Sequence, residues 1–244
     1  FVEIDGKIYE CEAGYAQYNS DGTRPYSFSE TPKYSTATRL ESGGTIANEL
    51  IRVNAYDDTV IDVPDGIKYI GKISNDNGDF SAFSGASYAE TVKLPASVTE
   101  IDTVNFAGVK ANFEVSPDNQ AFMNDENGNL LSKDGTTFMC SNTKNQTVVI
   151  PSTVKKISEY GVYLYNNNVQ QIVMNEGLEE LGQGAIYYNK TIKKLIFPST
   201  LKKVDSKAFW AHSATTFIFK SMDTEFEDGS FTASDTIIAP KGST

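Results

Sequence analysis

Short apolar runs recur along the chain, and most of them end in proline. Ile61-Asp62-Val63-Pro64, Val92-Lys93-Leu94-Pro95, Val148-Val149-Ile150-Pro151 and Leu195-Ile196-Phe197-Pro198 share one pattern. Degenerate copies are Ile172-Val173-Met174-Asn175, Phe217-Ile218-Phe219-Lys220 and Ile237-Ile238-Ala239-Pro240, and Phe113-Glu114-Val115-Ser116 is the weakest. The match continues downstream. Three residues after the Pro position stand Ile67, Val98, Val154, Leu178 and Leu201; six after it stand Ile70, Ile101, Ile157, Leu181 and Val204. Eleven after it stand Phe106, Val162, Ile186, Phe209 and Phe231. Self-similarity at a fixed period is the signature of a repeat architecture. The later Pro positions, 151, 175, 198, 220 and 240, are spaced by 24, 23, 22 and 20 residues.

Each unit predicts one short strand, a turn marked by proline and a tight return. Proline has no N–H for the ladder, so it ends the strand. One such unit cannot bury its apolar face, but stacked units pair their strands and share a continuous core. The wider steps of 31 residues (64 to 95) and 35 residues (116 to 151) require insertions near 74–89 and 122–142. In the second, Leu130 to Lys133 and Thr136 to Met139 flank Asp134-Gly135, a hairpin signature. The first, Ser74 to Ala89, is rich in Ser, Gly, Asp and Asn and reads as a loop. Residues 1–58 carry no clear copy. Phe1 to Glu10 reads as a hairpin around Asp5-Gly6, Tyr15 to Gly44 as loops or irregular strands, and Ile46 to Val53 as helix or strand. The segment reads as an N-terminal cap, which a solenoid end needs, or as a small ligand-binding module.

The order apolar-x-apolar-Pro, then x-x-Val-x-x-Ile, then Ala-Phe, resembles the BspA-like leucine-rich repeats of bacterial surface and secreted proteins. Val92 to Phe106 and Leu195 to Phe209 carry it best, and Asn127 to Thr137 also looks like a segment of that family. The resemblance covers 59–244. It implies a β-rich leucine-rich-repeat solenoid with few or short helices. It also implies an extracellular or cell-surface role in adhesion or ligand binding, with no catalytic residue set.

Alternation along a strand assigns the residues one and three before the Pro position to the core. The residue two before it faces the other way. There the early copies carry Asp62, Lys93 and Glu114, whereas the later ones carry Val149, Val173, Ile196, Ile218 and Ile238. Stacked in register, these five make an outer apolar ladder at about 4.8 Å per step, beside Thr147, Gln171, Lys194, Thr216 and Thr236. Such a ladder is ordinary strand propensity or a contact for a partner protein. Aromatics also recur: Tyr160, Tyr163, Tyr165, Tyr187, Tyr188 and Trp210 fill the core between repeats or stack on sugar rings. Tyr165, Tyr188 and Trp210 are the candidate glycan contacts, with Asn166 to Asn168 as possible hydrogen-bonding neighbours.

Charge sharpens the picture. The 244 residues carry 21 Lys and Arg against 32 Asp and Glu, net −11, which disfavours nucleic acid as a general partner. Val149 to Lys220 runs the other way, with nine lysines and five acids. Lys155, Lys156, Lys202 and Lys203 share repeat offsets and should line one edge, as a solvated face or a strip for an acidic polysaccharide. No apolar run reaches the roughly 20 residues of a membrane helix.

Candidate chemistry is thin. One histidine, His212, has no Gly-x-Ser-x-Gly elbow for company and reads as a loop residue. Cys11 and Cys140 form one disulfide or two thiols, and neither has an evident base. Asp76 to Asp79 and Asp125 to Gly128 are oxygen-rich turns without the full EF-hand pattern. No phosphate or dinucleotide fingerprint implies a cofactor. The expectation is a non-enzymatic protein-binding or adhesion module, with a carbohydrate-binding accessory protein or a structural spacer as alternatives.

Overall fold

A computed structural model describes residues 2–4, 7–9, 33–40, 46–55, 57–71, 73–75, 78–80, 82–83, 85–86, 88–106, 109–141, 144–164, 169–213 and 215–243. The repeats wind into a β-solenoid whose strands form three rows. The first row is the run before each Pro position. Val60–Asp62, Thr91–Leu94 and Asn112–Val115 pair in parallel, as do Thr147–Ile150 with Gln171–Met174, and Lys194–Phe197, Thr216–Phe219 and Thr236–Ile238. The second row contains two-residue strands, Lys156–Ile157, Glu180–Leu181, Lys203–Val204 and Glu225–Phe226, again parallel. In the third, Val162–Tyr163 pairs with Ile186–Tyr187. The Ile186 and Tyr188 N–H groups then reach Ala208 O and Trp210 O at 2.9 and 3.0 Å.

The Pro position does more than end a strand. Its carbonyl accepts from the N–H three residues on: Ile67 to Pro64 (3.4 Å), Val154 to Pro151 (3.1 Å) and Leu201 to Pro198 (3.4 Å). Those donors are the first buried apolar residues of the second row, so the turn aims the chain back into the core. Where asparagine replaces proline, the Asn175 amide donates to Ile150 O of the preceding repeat at 2.9 Å.

A second turn opens the third row. Nine residues after the Pro position, four successive copies enter the left-handed region: Tyr160 (φ 53°), Gly184 (60°), Lys207 (55°) and Gly229 (84°). Glycine suits that conformation and side chains strain in it. Lys207→Gly should therefore raise stability by about 0.5–1 kcal/mol, the relieved strain exceeding the added chain entropy. Thermal unfolding checks the sign, and a lowered midpoint would contradict it.

Side chains one and three before Pro point inward in the inner copies, where Val148, Ile150, Leu195 and Phe197 are buried, whereas in the last copy Ile237 is 51% exposed. Two apolar clusters result, one from Leu50 to Cys140 and one from Leu131 to Phe219. Buried asparagines stitch neighbouring turns together. Asn119 donates to Pro95 O and Val98 O, both 2.8 Å, and accepts from Ala121 N (2.8 Å) and Phe122 N (2.7 Å).

The insertion around Asp134-Gly135 is the expected hairpin, Leu130–Ser132 against Thr137–Cys140, with Gly135 at φ 70°. A third strand, Phe122–Asn124, joins it, and the three extend the second row. The stretch read as a loop near 74–89 contains a hairpin too, Ile73–Asn75 with Gly78–Phe80. Strands of three residues in so polar a composition offer too few positions for alternation to be seen. Val2–Ile4 pairs with Lys7–Tyr9. Ile46–Val53 is a strand, joined antiparallel to Tyr34–Leu40 and parallel to Ile67–Ile70 of the first repeat. Most of Tyr15 to Gly44 lies outside the described residues.

Candidate binding faces

The outward side of the first row is where the sequence placed its apolar ladder. Val149 and Val173 face each other across one strand pair, and Ile196, Ile218 and Ile238 across the next three strands. Thr147 opposes Gln171, and Lys194, Thr216 and Thr236 stand in line beside the isoleucines. Ile196 is 40% exposed and Ile238 48%, whereas Val149, Val173 and Ile218 are half-buried. The stripe comes in two blocks, because the strands Gln171–Met174 and Lys194–Phe197 lie in separate ladders. Its N-terminal continuation is charged instead: Asp62, Lys93 and Glu114 align in register, and Lys93 Nζ lies 3.7 Å from Glu114.

The lysines of the second row do line one edge, but they are not a free cationic strip. Glu179 lies between Lys155 (3.2 Å) and Lys202 (2.5 Å). Lys156 meets Glu180 at 3.3 Å, and Lys203 bridges Asp205 (2.5 Å) and Glu227 (3.1 Å). Hydrogen bonds from Lys202 and then Lys155 hold the Glu179 carboxyl below its ordinary pKa. Asp205 and then Glu227 raise that of the Lys203 ammonium. The missed signal was visible: glutamates occupy the lysine offsets in the intervening copy. With these four lysines matched, this edge has little attraction left for an acidic ligand.

The third row carries an aromatic column. Tyr163 and Tyr187 are paired in the ladder, and Trp210 follows at the same repeat offset. The tyrosine rings stack at 5.2 Å with 24° between planes, and Tyr187 meets Trp210 edge-on at 5.5 Å. Tyr160 and Tyr188 also pack on Tyr187, at 5.2 and 5.5 Å. The neighbours Val162, Ile186 and Phe209 point inward and are buried. Trp210 is 48% exposed, and the four tyrosines are half-buried. Lys207 Nζ lies 5.1 Å from the Trp210 ring and Lys190 Nζ 5.3 Å from that of Tyr188. Of the candidate glycan contacts, Tyr188 and Trp210 therefore share one surface. Tyr165 and Asn166 to Asn168 lie outside the described residues.

Reactive groups are engaged or buried. His212 lies in a loop, as expected, but its ring is engaged: its Nδ1 lies against Phe209 O, its Nε2 is 2.7 Å from Asp235 Oδ2, and both side chains are nearly inaccessible. Neither ring nitrogen is left to serve as a base. Burial pushes the Asp235 carboxyl up, but hydrogen bonds from Thr232 N–H, His212, Thr215 N–H and the Thr232 hydroxyl outweigh it and hold the pKa low. Cys140 is a free, buried thiol pushed up to about 12 by desolvation, and Cys11 lies outside the described residues. The Asp125 carboxylate caps its own loop, accepting from Asn127 N–H, Asn129 N–H and the Asn129 amide. Among the described residues no three metal-ligating side chains converge. No helix there is long and apolar enough to cross a membrane.

Residues 135–238 match, in six copies, the family model described as a BspA type leucine rich repeat region. No curated protein matches the chain. Among solved structures, a leucine-rich repeat protein from Eubacterium ventriosum ATCC 27560 is similar at 24% identity and a TM-score of 0.53. The match covers 66% of this chain and 42% of that one, so the chain spans less than half the length of that protein. A leucine rich cell surface protein from Faecalibacterium prausnitzii A2-165 is similar at 14% identity and a TM-score of 0.46, over 76% of this chain and 60% of that one. The first likeness is one of fold.

Proposed function

From a BspA-type leucine-rich repeat region over residues 135–238, we propose a non-enzymatic, extracellular or cell-surface module that binds a partner protein on the outward side of its first strand row. The observation that carries this reading is the ladder Ile196, Ile218 and Ile238, two of whose members are about half exposed. An apolar centre with a polar rim is the anatomy of a protein interface. Here Val149, Val173, Ile196 and Ile218 supply the centre, and Gln171, Lys194 and Thr216 the rim. Flat β-branched side chains on a rigid sheet lose little conformational entropy on contact. The repeat type supports the location, because BspA-like repeats belong to surface and secreted proteins.

The test is binding to an array of extracellular-matrix proteins, comparing the parent chain with Val173→Lys/Ile196→Lys. Capture that persists at raised salt is expected, with affinity lowered about tenfold or more in the double variant. Ile196 is exposed and Val173 half-buried, so thermal unfolding should shift little. Equal capture of both proteins, or of neither, would refute the reading.

A further inference from the structure

The third row differs from the paired edge of the second in what it leaves unneutralised. Lys155, Lys156, Lys202 and Lys203 of the second row each have a carboxylate partner. Lys190 and Lys207 are exposed, and among the described residues neither has a carboxylate within ion-pair distance; each ammonium instead lies over an aromatic ring. The Lys207 backbone adds a second, independent observation. At its repeat offset the flanking copies use Gly184 and Gly229, yet this copy holds a lysine at φ 55°. A side chain kept in a left-handed turn where neighbours use glycine is stored strain, and strain of this kind collects at functional sites.

We propose that Tyr163, Tyr187, Tyr188 and Trp210, with Lys190 and Lys207, form a binding site for a carboxylate-bearing carbohydrate chain. The site lies on a different row from the proposed protein-binding stripe and does not depend on it. Trp210 offers a half-exposed indole to the C–H face of a sugar ring. The two lysines supply positive charge for uronate or sialate carboxylates, in a chain whose net charge of −11 otherwise repels polyanions. The column suits sugars better than nucleic acid. Tyr163 and Tyr187 stack on each other, so neither has both faces open to intercalating bases.

Trp210 is the single tryptophan, so its fluorescence reports the site directly. The probes are hexasaccharides of galacturonic acid and of hyaluronan, a short polysialic acid, neutral maltohexaose, and oligo(dT). A saturable change with at least one acidic sugar is expected, weakened by salt, with none for maltohexaose. Lys190→Gln/Lys207→Gln should weaken it roughly fivefold. Lys207→Gly, the variant expected to be more stable, should bind less well. Val173→Lys/Ile196→Lys should bind the sugar as the parent does, which separates this site from the protein-binding stripe. No response to any acidic sugar, an undiminished response in the lysine variant, or equal binding of oligo(dT) would overturn the proposal.

Discussion

Phe197→Ala should lower the free energy of unfolding by about 3–5 kcal/mol, the usual range for emptying a buried phenylalanine site. Phe197 is fully buried and stands at the centre of an aromatic group. Its ring lies parallel to Phe219 (4.7 Å, 10°) and Phe217 (6.3 Å, 11°), and Phe209 leans on it at 5.4 Å. These residues come from two neighbouring turns of the first row and one position of the third. Truncation therefore loosens the contact between turns as well as the strand that carries it. The surrounding phenylalanines are held by paired backbones, so the cavity has little room to collapse. Urea unfolding followed by circular dichroism and by Trp210 fluorescence measures the effect. A loss under about 1.5 kcal/mol would mean that the turns repack around the gap.

Asn119→Ala should cost on the order of 3 kcal/mol, and by a different mechanism. The side chain is fully buried, and its amide serves two carbonyls and two N–H groups of the surrounding backbone. Removing it strands Pro95 O, Val98 O, Ala121 N and Phe122 N. Each buried unsatisfied group costs about 1–3 kcal/mol, less whatever water restores. The signature is local: amide exchange at Ala121 and Phe122 should accelerate by more than the fall in global stability explains. Unchanged protection at those two amides would show that the side chain is not what holds them.

The inward columns were legible in the sequence because burial constrains them at fixed offsets, and Pro64, Pro95, Pro151 and Pro198 marked where each strand stops. The outward stripe was legible for the same reason: once the inner residues are known, alternation assigns the outer ones. Three features escaped. The pairing of Lys155 and Lys202 with Glu179 needs the registry between copies, although the residues share an offset. Whether Trp210 filled the core or faced outward stayed open, because side-chain chemistry does not announce the left-handed turn at Lys207 that precedes Phe209 and Trp210. His212 and Asp235 meet because they lie 23 residues apart, one repeat length, which reads as coincidence until the turns are stacked.

The second-row charges have a consequence for how such a chain changes length. Lysine and glutamate alternate from turn to turn: Lys156 faces Glu180, Glu180 faces Lys203, and Lys203 faces Glu225. Excising the single turn that holds Glu179 and Glu180 would set Lys155 against Lys202 and Lys156 against Lys203. Excising the two adjacent turns that hold Glu180 and Lys203 would instead set Lys156 against Glu225, an opposite pair, with Lys155 beside the uncharged Thr224. The apolar core repeats with a period of one turn, whereas the charge column Lys156, Glu180, Lys203 and Glu225 repeats with a period of two. Parity of copy number is thereby written into the surface, and duplication or loss in pairs preserves what an odd step would break.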